Sequence, residues 1–74
     1  MTDDLMRQWG SNIALARKLR GLSVKTFAEE MGVSVATVSR WEAGKMAPRD
    51  DNKVEIATVL ATDVRMLFPL VRAS

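Results

Sequence analysis

Two Gly-x-Ser triplets, Gly21-Leu22-Ser23 and Gly32-Val33-Ser34, punctuate the middle of this chain and cut it into short helices. Glycine takes the usual C-terminal position of a helix. A serine two residues later can cap the next one, its hydroxyl accepting from a free backbone amide. Before the first triplet, Trp9, Ile13, Ala16 and Arg20 fall at helical spacing, with Leu15 and Leu19 on a neighbouring stripe, which predicts a first helix over roughly residues 8–20. Between the triplets, Val24, Phe27, Ala28 and Met31 follow the i, i+3, i+4, i+7 rule of a one-faced second helix. After the second triplet, Val38 and Trp41 give a third helix its apolar side until Gly44. Lys45 to Arg49, with Pro48, reads as a loop. A fourth helix runs from about Asp51 to Leu60, with Val54, Ile56, Ala57 and Leu60 apolar. Asp63 can cap a last short helix carrying Val64, Leu67 and Phe68, closed by Pro69. The reading is all-α: five helices in one domain spanning 1–74, with no repeat or linker.

At 74 residues one domain is the ceiling. Two prolines and four glycines are too few turn signals for a sheet of many short strands. A chain of this size buries only roughly 60% of its unfolded surface, so it needs compact packing, a staple or a covering partner. Cysteine and histidine are both absent. That removes disulfides, thiolate and imidazole metal sites, and every Ser-His or Cys-His catalytic arrangement. No metal, cofactor or small-molecule ligand is implied, and an enzyme is not expected. Charges interrupt the chain at least every nine residues, as in Met31 to Ser39, far short of the ~20 apolar residues that span a bilayer. Asp3 and Asp4 open the chain where a secretory signal needs a basic start. The expectation is a soluble, cytoplasmic, self-contained domain with no membrane partner.

The net charge of +2 is unevenly placed. From Arg17 to Arg49, seven cations face three carboxylates, a local +4, while the flanks carry −2. Such a basic middle can present a positive face to a polyanion. Within it, Val24 to Trp41 is a helix, a glycine turn and a second helix. Ala28 is small where the two helices cross, Gly32 permits the turn, and Val38 and Trp41 anchor the second helix. The outer side of that helix is then Ser34, Val35, Ala36, Ser39 and Arg40. A solvated face usually carries Glu and Lys, whereas small side chains with one long cation suit a groove about 12 Å wide. Trp9 and Trp41 read as core residues rather than base-stacking platforms, and the five methionines as core filler.

The text LARKLRGLSVKTFAEEMGVSVATVSRWEAGKMAP, followed by EIATVLATDVRMLFP, resembles the phage repressor and Cro type of helix-turn-helix, the XRE family, over about Ile13 to Pro69. Its most specific piece is G-V-S-x-x-T-V-S-R-W-E-x-G. The resemblance implies a lambda-repressor-like fold with the helix-turn-helix at the second and third helices. It makes the third helix the recognition helix, with Ser34, Val35, Ala36, Ser39 and Arg40 at the bases. Ser23, Lys25, Thr37, Lys45 and Arg49 become backbone-contacting residues. Arg17 and Glu42 match a pair that usually joins the first helix to the end of the third. Three positions depart from the pattern: Val24 replaces a phosphate-binding Gln, Asp50 and Lys53 replace apolar residues, and Ala61-Thr62 replaces Gly-Val.

What the resemblance implies is a sequence-specific regulator of transcription, a Cro-like repressor acting by occupying a double-stranded, palindromic operator. One recognition helix reads only a few base pairs, so a homodimer is expected, at least on DNA. Leu67, Phe68, Leu70 and Val71 are its candidate contacts; the alternative is that they fold back on the first helix. The competing function is an antitoxin or protein-interaction module built on the same fold.

Overall fold

Four successive helices of this chain end in the same pair of hydrogen bonds, and those ends set the architecture. Residues 2–69 are described by the structure, a computed structural model, with side chains from Asp4 onward. Among them the regular structure is helical: α1 (Thr2–Leu19), α2 (Val24–Met31), α3 (Val35–Glu42), α4 (Asp50–Val59) and α5 (Val64–Leu67). After α1 the amides of Gly21 and Leu22 donate to the carbonyls of Lys18 and Arg17. The pattern recurs with Gly32 and Val33 after α2, Gly44 and Lys45 after α3, and Ala61 and Thr62 after α4. It requires a left-handed residue at its first amide, which is why glycine is favoured there. Glycine supplies it three times, at φ of 74°, 71° and 72°. At the α4–α5 corner alanine does so instead, Ala61 lying at φ 56°.

The next helix starts where a short polar side chain caps it. Ser23 accepts from the amide of Thr26, Ser34 from that of Thr37, and Asp63 from that of Arg65. The Arg65 guanidinium and amide hold the Asp63 carboxyl below its ordinary pKa, and Arg65 is raised in turn. Both serine caps stand where the sequence put them.

The helices close around one core. Its fully buried large side chains are Trp41, Phe27, Ile13, Ile56 and Val38, one or more from each of α1 to α4. Trp9, Leu67 and Phe68 extend it toward the C-terminal end, where the rings of Trp9 and Phe68 meet edge to face at 5.6 Å. The Trp9 indole donates to the Pro69 carbonyl at 3.0 Å, and the Asn12 amide to that of Leu67 at 2.9 Å. Both tryptophans therefore belong to the core, as expected.

Several expectations are corrected. α1 begins six residues earlier than predicted, because Leu5 continues the Trp9 stripe one turn back and packs on the core. Leu15 and Leu19 form no second buried stripe but are 60% and 79% exposed, and Val54 is also outward. Among the described methionines, Met31 is in the core and Met66 faces solvent. In the opening turn of α4, Lys53 stands where the family pattern has an apolar residue. Its side chain is only 16% exposed, and its ammonium lies 4.1 Å from the centroid of the Trp9 ring, paired with Asp50 at 3.4 Å. A cation over an aromatic face supplies attraction where an apolar side chain was expected.

Candidate nucleic-acid interface

The α2–turn–α3 unit follows from which side chains can be buried at a close crossing. Phe27, Ala28 and Met31 of α2 meet Val38 and Trp41 of α3, all five buried. With that side committed to the core, the opposite side of α3 must face outward. Ser34, Val35, Ala36, Ser39 and Arg40 are all exposed, Val35 at 47%. The structure therefore brings together the whole set expected to read bases. It gives Ser34 a second duty, since its oxygen caps α3 and pairs with the Thr37 hydroxyl at 2.9 Å. Arg40 is left as the long hydrogen-bond donor of this face.

The residues expected at the phosphates are spread around that face. Lys25 is exposed on the first turn of α2, one residue from Val24, which is half-buried. Ser23 caps this helix and pairs with the Thr26 hydroxyl at 3.0 Å. Thr37 is half-buried behind Ser34, while Lys45 is exposed in the turn after α3. Arg49 precedes α4 and lies 3.7 Å from the Asp51 carboxylate, both side chains well exposed. A phosphate would have to compete with that carboxylate.

The scaffold behind α3 is held by Arg17. Its guanidinium donates from Nε to Glu42 Oε2 at 2.6 Å and from Nη2 to Oε1 at 3.0 Å. Nη1 donates to the Leu22 carbonyl at 2.8 Å, so one side chain ties α1 to the end of α3 and to the α1–α2 turn. The hydrogen bond to Glu42 raises the Arg17 pKa further, against the opposing effect of burial. The Glu42 charge at the end of α3 is thereby paired by Arg17.

Sequence reasoning missed how close α1 comes to α3. A Cβ on Gly10 would lie 2.5 Å from the carbonyl oxygens of both Trp41 and Glu42. The available signal was spacing: Gly10 lies seven residues before Arg17, on the same helical face. At the other end, Leu67 and Phe68 are 3% and 5% exposed and fold back on α1, so they offer no surface there; Leu70 and Val71 lie outside the described residues. Val54 of α4 and Met66 of α5 are exposed apolar side chains, and Val54 lines a groove with Lys53, Val64, Arg65 and Phe68. Among the described residues no helix is long and apolar enough to cross a membrane.

A buried seam on one side of α3 and small side chains with one arginine on the other define a helix-turn-helix domain. A family model described as helix-turn-helix matches residues 13–67, and the chain belongs to that family, the HTH_3 family, whose regulators bind DNA. Among solved structures, the restriction-modification controller protein C.AhdI from Aeromonas hydrophila is 27% identical, with a TM-score of 0.83 over 89% of this chain and 96% of that one. An HTH_3 family transcriptional regulator from Vibrio cholerae is 28% identical, with a TM-score of 0.82 over 92% of this chain. The match covers 38% of that regulator's length. No curated protein matches the chain.

Proposed function

We propose that this protein represses transcription by occupying a palindromic operator as a homodimer, with α3 of each copy in the major groove. The observation that carries the reading is the outer face of α3. Val35 and Ala36 are small enough to let the helix seat and to meet thymine methyl groups, and Arg40 can bridge O6 and N7 of a guanine. Lys25, Thr37, Lys45 and Arg49 surround this face as backbone contacts that set register and supply most of the affinity. Repression by occupancy needs nothing beyond this binding.

A homodimer answers the short reach of one recognition helix. With Leu67 and Phe68 in the core, its contact would use Val54 and Met66 on the exposed side of α4 and α5. There Asp50 and Arg65 give each copy both signs of charge for a two-fold contact. The likeness to a restriction-modification controller over nearly its whole length supports a second reading, a controller of a restriction-modification system. Selection of sites from random duplexes tests the common core of both. An enriched palindrome bound by two copies is the expected result. Recovery of no enriched sequence, or sedimentation as a monomer on the selected site, would overturn it.

A further inference from the structure

We propose that Arg7, on the first turns of α1, is a further DNA-backbone contact that works beside Lys45; the proposal rests on the placement of α3 in the groove. α1 starts at Thr2, whereas the family match starts at residue 13, so the turns that carry Arg7 and Gly10 lie outside the matched segment. They run past the end of α3. Gly10 packs on the carbonyls of Trp41 and Glu42, and Arg7, three residues earlier, packs on Gly44. A Cβ on Gly44 would lie 2.8 Å from both Cα and Cγ of Arg7 and 3.0 Å from its amide nitrogen. The turn after α3 therefore rests directly on the backbone and stem of Arg7.

That turn is itself fixed to the recognition helix, because the Lys45 amide donates to the Arg40 carbonyl at 2.9 Å. The stem of Arg7 consequently leaves α1 beside the turn that carries Lys45. Arg7 is exposed, in contrast to Arg17 on the same helix, whose guanidinium is enclosed by Glu42 and Leu22. When a recognition helix lies in the major groove, the turn that follows it meets the sugar–phosphate backbone. A guanidinium there can bridge two phosphate oxygens, a geometry that the Lys45 ammonium cannot supply. Arg7 adds a second cation beside the turn Gly44, Lys45 and Met46, which holds no carboxylate of its own, while Asp4 stands one helical turn before Arg7 on α1.

The competing role is structural. A cation near the C-terminal carbonyls of α3 also stabilises that helix end. Salt dependence separates the two. The full-length chain and its Arg7→Ala and Arg7→Lys variants are titrated with a selected duplex and with a scrambled one over a range of salt concentrations, and each variant is melted in parallel. If Arg7 neutralises a phosphate, Arg7→Ala lowers the slope of log K against log salt by about one unit on both duplexes, melts like the parent, and Arg7→Lys restores the slope. An Arg7→Ala variant that keeps the parental slope overturns the contact, whether or not its melting point falls, and leaves DNA binding by the family face intact. A parent chain whose affinity for both duplexes ignores salt overturns the placement of α3, and the role of Arg7 with it.

Discussion

Arg17 and Glu42, twenty-five residues apart in sequence, are joined by two parallel hydrogen bonds of 2.6 and 3.0 Å with only 9% and 14% of their side-chain surface exposed. Removing one partner strands the other charge in a largely dry site, and such losses cost about 3–5 kcal/mol. A domain of this size holds on the order of 4–11 kcal/mol in total. Arg17→Ala should therefore lower the melting point sharply, and replacing both residues by apolar ones should lower it less. A melting curve for Arg17→Ala that overlays the parent would remove the pair from the account of stability.

Gly10 sets the distance between α1 and α3. Alanine there would gain about 1 kcal/mol of helix propensity, but its Cβ would meet two backbone carbonyl oxygens at 2.5 Å, and backbone cannot turn aside as a side chain can. Overpacking of this kind costs about 1–3 kcal/mol. Gly10→Ala should be destabilising on balance, visible as a lower denaturant midpoint. A raised midpoint would show that α1 is free to move off α3.

Ala61 is the opposite case. It holds a left-handed φ of 56° at the end of α4, where the other three such helix ends have glycine. An L-residue in that conformation costs roughly 1–2 kcal/mol, part of which glycine returns through its larger unfolded-state entropy. Ala61→Gly should stabilise the protein by about 0.5–1 kcal/mol. An unchanged or lower midpoint in urea would mean that the corner carries no strain.

The sequence made the helix-turn-helix legible because its signals are local. Glycine at 21, 32 and 44 and serine at 23 and 34 each act within a few residues of themselves, so the ends of α1, α2 and α3 could be placed from the chain alone. The outer face of α3 followed by subtraction once Val38 and Trp41 were assigned inward. What escaped is long-range. Lys53 reads as a surface cation until Trp9, forty-four residues away, is brought beneath its ammonium. Leu67 and Phe68 read as an apolar tail until Asn12 and Trp9 bind the carbonyls around them. Leu15 and Leu19 keep helical spacing yet face solvent, because periodicity marks a stripe without saying which element covers it.

Arg40 and Lys45 carry the same charge within six residues and should still behave differently. Arg40 stands one helical turn beyond Ala36 on the side of α3 opposite Val38 and Trp41, where a helix in the groove points it at base edges. Lys45 stands in the turn that follows, where a duplex holding α3 in its groove would pass its backbone. Arg40→Ala should cost ~1–3 kcal/mol on the selected operator and relax preference at one position in each half-site. Lys45→Ala should weaken all duplexes about equally and lower the salt slope by about one unit. Parallel titrations of both variants on selected and scrambled DNA make the comparison, because each removes one positive charge and only one should remove a reading contact. If Arg40→Ala lowers affinity for both duplexes by the same factor, Arg40 is a phosphate clamp. Sequence choice would then fall to Val35, Ala36 and Ser39, and to the energy needed to deform the duplex around them.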